Sequence, residues 1–304
     1  MPVEATLARS AATEGVGLHS GTKARLRLLP AGVGTGIQFR RVDLDGFEIE
    51  ARSANIAKVS YATSLMKKGV FISTTEHLLA ALIGTGIDNV IAELDNLEVP
   101  IMDGSALPFL GLIDAARVRK QHRKRRVLQI VEPLELREGE KFIGVYPGSG
   151  YRLRYTIDFP HRMIGRQQFE MELTPENFRS ELAPARTFGF FADFAAMRRQ
   201  GLIRGGSLEN AVVLDERRVV NGELRFADEF VRHKMLDLIG DLALLGAPIE
   251  GEVVADRAGH AMHTALVQRL LASRRHWRWA EAPSYQPAMV ATPTGERAQT
   301  LYTE

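Results

Sequence analysis

Hydrophobic and polar residues alternate along several short segments of the chain, which is the pattern of strands with one buried face. Residues 24–29 follow this period and end at Pro30, and residues 37–41 repeat it. A glycine-rich segment, 15–21, predicts a turn between two strands. The same patterns predict further strands at 89–94, 127–130, 142–146, 151–157 and 211–214.

Longer apolar segments predict helices. Residues 76–83 follow the polar run Ser73-Thr74-Thr75 and precede Gly84, which suits a helix with a defined start and end. Residues 226–245 are apolar on nearly every face, so we expect a buried helix. A shorter helix is predicted at 191–199. Strands and helices mix without the regular alternation of a parallel βαβ protein, so the predicted fold class is α+β.

The two strong helices share a local pattern. His77 is followed five to seven positions later by Leu-Ile-Gly, and His233 is followed by the same three residues at the same offsets. This internal echo predicts a duplicated α+β unit. Packing of the two copies face to face would bring the equivalent helix starts together.

Composition limits the chemistry that the chain can perform. The 304 residues are 45% hydrophobic and 25% charged, which are ordinary values for globular proteins. The net charge of +2 gives no general affinity for nucleic acid. There is no cysteine, so any metal must be held by nitrogen and oxygen atoms. Residues 1–19 contain no apolar core of signal-peptide length, and no segment has the length of a membrane span, so we expect a cytoplasmic protein.

One dense basic run interrupts this balanced charge. We interpret residues 120–126 as a linker between an N-terminal domain (1–119) and a C-terminal domain (127–304). No aromatic residue is interleaved in the run, and we expect no nucleic-acid partner; contact with an anionic lipid surface stays open. The eight basic residues of the run are Arg117, Arg119, Lys120, His122, Arg123, Lys124, Arg125 and Arg126.

His233 and Asp237 are spaced to share one face of the second strong helix, and Asp241 continues that face. Two ligands one turn apart can hold one metal ion. The alternative is an exposed histidine–aspartate pair, which is common at this spacing. The predicted burial of the helix weakens this alternative, because a buried charge requires a partner or a metal.

Glu76 and His77 begin the first strong helix and point in different directions. They could divide the work, with His77 on the metal and Glu76 as general base on the attacking water. Two histidines and one carboxylate would leave the fourth tetrahedral position open. In the alternatives, Glu76 completes a capping box with Ser73 and His77 is a core histidine.

Three further segments carry polar groups without a decisive pattern. His260 and His263 follow Gly259 at helical spacing, and either could donate a proton. Segments 100–105 and 185–189 are predicted turns with polar tips, where functional groups often lie. Spacing alone does not rank these candidates.

Several of these segments together resemble one family, the UDP-3-O-acyl-N-acetylglucosamine deacetylases. These are the zinc amidases of lipid A synthesis in Gram-negative bacteria. The resemblance extends to about residue 270 and rests on the order and spacing of the segments. They are Gly15-Val-Gly-Leu-His-Ser-Gly21, Ser73-Thr-Thr-Glu-His-Leu78, Gly86-Ile-Asp-Asn-Val90, Pro100-Ile-Met-Asp-Gly-Ser105, Ala185-Arg-Thr-Phe-Gly-Phe190 and Phe230-Val-Arg-His-Lys-Met-Leu-Asp237.

The resemblance implies two duplicated α+β domains whose helical layers face each other in a β-α-α-β sandwich, with the active site between them. It implies a zinc (Zn2+) cofactor held by His77, His233 and Asp237. The implied catalytic groups are Glu76 as general base, His260 as general acid oriented by Asp241, and Thr187 as a donor to the oxyanion.

The resemblance also implies how substrate is held. Phe188 would pack on the sugar of a UDP-linked acyl substrate, and Lys234 would assist binding. A hydrophobic passage for the acyl chain would be formed by Phe194, Ile203, Gly206 and Ala211. The family often has asparagine where this chain has His263. We expect a monomer, with peripheral contact to the inner membrane left open. The alternatives are a metal hydrolase for another acylated sugar and a non-catalytic scaffold protein.

Overall fold

The computed structural model describes residues 2–57 and 61–283. The described residues up to Lys124 form nine strands and two α-helices. They are β1 (Val3–Leu7), β2 (Ala11–Val16), β3 (Lys23–Pro30), β4 (Ile37–Arg41), β5 (Phe47–Glu50), β6 (Leu65–Lys67), β7 (Val70–Ile72), α1 (Glu76–Gly84), β8 (Val90–Leu94), α2 (Leu107–Ala116) and β9 (Val118–Lys124).

Five of these strands form one sheet in the order β2-β3-β8-β4-β5, in which β4 and β8 are parallel and the other neighbours antiparallel. In β3, alternate residues are buried, as the sequence period predicts: Ala24, Leu26 and Leu28 face the core. The predicted strands at 24–29 and 37–41 are confirmed, and so is the glycine-rich turn that follows β2.

The second part of the chain forms nine more strands and four helices. They are β10 (Arg126–Ile130), β11 (Leu134–Glu138), β12 (Lys141–Tyr146), β13 (Tyr151–Phe159), β14 (Gly165–Glu172), α3 (Pro175–Asn177), β15 (Phe188–Phe190), α4 (Phe191–Arg199), β16 (Val212–Leu214), α5 (Glu229–Leu242), β17 (Ile249–Asp256), α6 (His260–Ala272) and β18 (Trp277–Glu281).

A seven-stranded sheet organises this second part. Its main path is β11-β12-β17-β10-β18, and β13 pairs with both β17 and β14. Strand β17 buries every second residue, Ile249, Gly251, Val253 and Ala255, against the helices. The mixed sheets and helices confirm the α+β class.

The main helices contact one another and both large sheets. Helix α2 packs on β2 and β3, α1 packs on α2 and α5, and α5 packs on β13 and β14, while α6 covers β11 and β12. One hydrophobic core runs through all of these contacts. The equivalent helices α1 and α5 therefore meet; the duplicated sandwich itself stays a prediction.

A small βαβ unit projects beside this core. Strands β15 and β16 pair in parallel, with Phe188 opposite Val212 and Phe190 opposite Leu214, and α4 connects them. The predicted helix at 191–199 is confirmed, and the strand predicted at 211–214 begins one residue later. The unit contains the residues that the resemblance assigns to the acyl passage.

The basic run is largely built into two strands. Most of it forms β9, which pairs antiparallel with β1, and Arg126 begins β10. Arg125 lies between the strands and donates to Asp88 at 2.7 Å. The division into two domains at this run stays a prediction. No helix among the described residues is long and apolar enough to cross a membrane.

Candidate active site

The site lies where the starts of α1 and α5 meet. His77 in the first turn of α1 and His233 in the second turn of α5 are both buried, and their rings pack edge to face with centroids 4.8 Å apart. Asp237, one turn further along α5, places Oδ1 3.3 Å from His233 Nε2 and 3.5 Å from His77 Nε2. The three predicted ligands thus converge, although His77 and His233 are 156 positions apart (233 − 77).

Their protonation states suit a metal. His233 Nδ1 lies 3.1 Å from the Ala185 carbonyl, to which it donates, so that Nε2 carries the lone pair. Burial lowers the pKa of His233 to about 4, which keeps the ring neutral near pH 7. Although burial opposes its charge, neighbouring Lys234 and the histidines hold the pKa of Asp237 well below its usual range. Two imidazoles and one carboxylate are a donor set typical of zinc.

One buried atom of the group lacks a hydrogen bond. His77 Nδ1 has no hydrogen-bond partner among the described residues, although the side chain is only 5% exposed. Metal-bound histidines usually donate from their second nitrogen to a nearby group or a water. The three ligand atoms lie within 4.8 Å of one another, and we conclude that these side chains fit a divalent cation.

A second polar cluster adjoins this group. Asp241 Oδ2 lies 2.8 Å from His260 Nδ1 and 2.8 Å from His263 Nδ1, and Asp241 is fully buried. The Nε2 atom of His260 lies 3.8 Å from Asp237 Oδ2, so the ring extends toward the candidate metal ligands. A proton on Nε2 would therefore be held beside them.

The charges of this cluster reinforce one another. Burial disfavours an imidazolium, but the Asp241 carboxylate raises the pKa of His260 to about 9. Burial likewise opposes the Asp241 charge, and His260 overcomes it by lowering the pKa of that carboxyl to about 2. Burial lowers the pKa of His263. Of the two histidines, His260 is thus the one held protonated.

Asp241, His260 and His263 also have the residue types of a metal group. However, the Nδ1 atoms of both histidines are directed at the same carboxylate oxygen, Asp241 Oδ2. Each ring would then carry a proton on Nδ1 and donate it in a hydrogen bond to that oxygen. On the far side, His263 Nε2 lies 3.0 Å from the Tyr155 hydroxyl. These contacts favour a hydrogen-bonded proton donor over a second metal.

Glu76 is buried beside the metal group, and burial raises its pKa. Its Oε2 accepts from the backbone N–H of Thr63 at 3.0 Å. The capping-box alternative is wrong, because α1 begins at Glu76 and its N-cap residue is Thr75, which makes no side-chain cap. Ser73 lies too early, and its hydroxyl contacts Thr74 instead.

Thr187 is held by backbone on both sides. Its N–H donates to the Gly104 carbonyl at 2.8 Å, and its own carbonyl accepts from Val212 at 2.7 Å. Gly104 has φ +85°, and a side chain there would collide with the carbonyl of Asn210. The predicted turn around Gly104 is thus a tight backbone contact beside Thr187.

The residue before Thr187 is clamped separately. Arg186 donates to Glu229 from its backbone N–H at 2.9 Å and from its guanidinium at 2.8 and 3.0 Å. Glu229 is completely buried at the start of α5. Because Ala185 also accepts from His233, the segment from Ala185 to Thr187 is fixed to the helix that carries two of the candidate ligands.

Lys234 and Phe188, the residues that the resemblance assigns to substrate binding, have contacts of their own. Lys234 Nζ donates to Asp237 Oδ2 at 2.7 Å and is 16% exposed. Phe188 is half-buried, and its ring packs edge to face on Phe159 and Phe230, with centroids 5.7 and 5.0 Å away. The Phe188 ring, which is predicted to pack on the sugar, is therefore supported by two aromatic residues that the sequence pattern did not identify.

The four candidate passage residues all lie between β15 and β16. Phe194 lies on α4, and Ile203 is buried with a left-handed φ of +45°. Gly206 donates to the Ile203 carbonyl at 3.1 Å, and Ala211 directly precedes β16. The loop that holds Ile203 also docks on segment 15–21, where the Leu18 and His19 carbonyls accept from Gly205 and Arg204.

Sequence reasoning missed several residues of the site. Thr63 and Tyr155 contact its carboxylate and histidines from strands and loops far away in the chain, and no local pattern marks them. Glu98 was also missed: it is buried and accepts from the backbones of His19 and Ser20 and from Thr74. The glycine-rich segment 15–21 was the nearest signal for that contact.

Comparison with known proteins supports one family. A family profile described as LpxC, UDP-3-O-acyl N-acetylglycosamine deacetylase, matches residues 4–272. A protein of Solibacter usitatus named UDP-3-O-acyl-N-acetylglucosamine deacetylase is 53% identical over 89% of this chain and 92% of its own length. Proteins of the same name from Xylella fastidiosa and Anaeromyxobacter are 43% and 44% identical over 100% and 95% of this chain, and over 98% and 97% of their own lengths. The chain belongs to the UDP-3-O-acyl N-acetylglycosamine deacetylase family.

Proposed function

We propose that the chain hydrolyses the acetamide of UDP-3-O-(3-hydroxyacyl)-N-acetylglucosamine to acetate and the free amine. The observation that carries the proposal is the juxtaposition of a candidate metal group with the hydrogen-bonded pair His260–Asp241. The names of the relatives supply the substrate. This reaction is the committed step of lipid A biosynthesis, as the sequence resemblance implies.

The metal that we propose is zinc, held by His77, His233 and Asp237. The absence of cysteine leaves nitrogen and oxygen ligands, and two imidazoles with one carboxylate match catalytic zinc sites. When bound, zinc would polarise the amide carbonyl and lower the pKa of a water.

The protein groups then have complementary tasks. Glu76, whose pKa is raised by burial, accepts a proton from the attacking water. Thr187 donates to the oxygen on which negative charge develops. His260 delivers a proton from Nε2 to the departing nitrogen, which leaves as an amine instead of an amide anion. Water is added across the C–N bond, so the products are acetate and the glucosamine amine.

The remaining candidate residues would hold the substrate. We assign Phe188 to the sugar ring, which its aromatic support on Phe159 and Phe230 suits. Lys234, whose pKa stays raised through Asp237 despite burial, would assist as a cation. The acyl chain would lie along the apolar surface of the β15–α4–β16 unit formed by Phe194, Ile203, Gly206 and Ala211.

The test is metal analysis combined with an activity assay on the purified protein. We expect about one zinc ion per chain and acetate release from the UDP-linked 3-O-acyl substrate, both lost after chelation and restored by zinc. The same sugar without its acyl chain is the matched control. Turnover only on a different acylated sugar would support the alternative hydrolase, and a metal-free active protein would overturn the proposal.

Strand β9 and the residue before it expose four basic side chains, those of Arg117, Arg119, Lys120 and His122. These four form no ion pair with any described residue, whereas Arg123 of β9 pairs with Glu4 of β1. We propose a cytoplasmic monomer that touches the inner membrane here, where an acylated substrate would be at hand. Binding to phosphatidylglycerol vesicles but not to phosphatidylcholine vesicles would support it; equal binding, or none, would overturn it.

A further inference from the structure

Thr63 lies at the centre of the site without belonging to the predicted machinery. It is completely buried in the segment that precedes β6. Its backbone N–H donates to Glu76 Oε2 at 3.0 Å, and its hydroxyl donates to Asp241 Oδ1 in a short hydrogen bond. The same hydroxyl oxygen lies 3.3 Å from His260 Nδ1. One residue therefore contacts the candidate base and both members of the candidate acid pair.

The backbone of Thr63 is fixed to the start of α1. Its carbonyl accepts from the N–H and from the hydroxyl of Thr75, both at 3.1 Å, and Thr75 directly precedes Glu76. The side chain reaches in the opposite direction, to α5. Because a β-branched side chain has few χ1 choices, the direction of the hydroxyl is also restricted.

The two carboxylates that Thr63 joins need donors in fixed positions. Glu76 and Asp241 are both buried, and a buried carboxylate oxygen without a hydrogen-bond donor would destabilise the folded protein. As a neutral residue, Thr63 can orient oxygens of both carboxylates without adding a charge to the site.

We propose that Thr63 is a positioning residue, which fixes Glu76 relative to His260 by donating to Glu76 through its amide and to Asp241 through its hydroxyl. This role rests on the proposed function, because it matters only if Glu76 and His260 act on one substrate. Proton removal and proton delivery then require both groups at the reacting bond, and small displacements slow such reactions strongly.

The test is a comparison of Thr63→Val with Thr63→Ser. Valine keeps the shape and the amide but removes the hydroxyl, so we expect kcat to fall about tenfold or more while KM and metal content stay close to parental. Serine restores the hydroxyl and should recover most of kcat. Thr85→Val is the matched control, since the buried Thr85 hydroxyl bonds only helix carbonyls, those of Ala81 and Leu82. That variant should lower the melting temperature and leave kcat unchanged.

A double-mutant cycle identifies the path of the effect. In an Asp241→Ala background the hydroxyl has no carboxylate to bind, so Thr63→Val should change kcat little further. Should Thr63→Val fail to fold, Thr63→Ala against Thr63→Ser gives the same comparison.

Three results would overturn the role. The first is a parental kcat in Thr63→Val. The second is a loss of kcat that Thr63→Ser does not rescue, and the third is a loss of kcat that parallels a loss of bound metal. If the parental protein releases no acetate, the proposed function fails and this role with it. A parental enzyme that is active and indifferent to Thr63→Val would refute only the role of Thr63.

Discussion

Gly240 of α5 packs against the backbone of Glu76 at the start of α1. A Cβ atom built on Gly240 would lie 2.9 Å from Glu76 Cα and closer still to its carbonyl group, which no real side chain tolerates without movement. This contact sets the separation of the start of α1 from the body of α5, and so the distance from His77 to Asp237. Gly240, the glycine of the repeated Leu-Ile-Gly pattern, is therefore the residue at which α5 approaches the backbone of α1 most tightly in this contact.

Substitution of this glycine should disturb both stability and the metal group. We expect Gly240→Ala to lower the free energy of unfolding by about 1–3 kcal/mol through overpacking, and to lower metal affinity by moving α1 from α5. Chemical denaturation and metal titration measure the two effects.

Gly111→Ala is the control for that experiment. Gly111 lies within α2, is exposed, and has open space at its Cβ position. There alanine should stabilise the protein by up to about 1 kcal/mol through its higher helix propensity. Equal stability changes in the two variants would contradict the close-approach interpretation.

His233→Ala should remove one of the three candidate ligands, while Asp237 keeps its contacts with Lys234 and His77. We expect the metal content of the purified variant to fall far below that of the parental protein, and activity to fall with it. Elemental analysis after dialysis measures the loss. His276→Ala, which alters a buried histidine outside the site, should keep the metal; a parental metal content in His233→Ala would exclude His233 as a ligand.

Glu76→Gln tests the base separately from the metal. Glutamine keeps the acceptor for the Thr63 amide but cannot take a proton from water at neutral pH. We expect kcat to fall by about 10²-fold or more, with metal content unchanged. Deacetylation at the parental rate would show that another group is the base, whereas a parallel loss of metal would show that Glu76 helps to hold the ion.

Local sequence patterns predicted the individual strands and helices better than they predicted the tertiary contacts between them. The period of two in β3 and the apolar faces of α5 are properties of short segments, and the structure shows both. The spacing of His233 and Asp237 likewise fixes them on one face of one helix. By contrast, the Ser73–Glu76 spacing suggested a cap that does not form, because tertiary contacts to Thr63 use the Glu76 carboxylate instead.

The contacts that complete the site join distant parts of the chain. Thr63 bonds Asp241 across 178 positions, and Tyr155 lies against His263 across 108. Neither residue has a helical or strand period that would reveal its partner. The packing of α1 on α5, of α5 on β13 and of α6 on α5 brings them together. The Leu-Ile-Gly echo was the one sequence signal for the first of these packings.

The alkaline limb of the pH profile should report His260 through its bond to Asp241. Burial alone would lower the pKa of this histidine, and the Asp241 carboxylate raises it to about 9, so the general acid stays protonated until the pH rises through that value. Asp241→Asn removes the negative charge, and we expect the limb to move to lower pH with a fall in kcat at pH 8. A bound cation would lower the pKa in both proteins, so the comparison keeps its sign. Asp114→Asn, which breaks only a surface pair with Arg179, should leave the limb in place. An unmoved limb in Asp241→Asn would mean that another group supplies the proton.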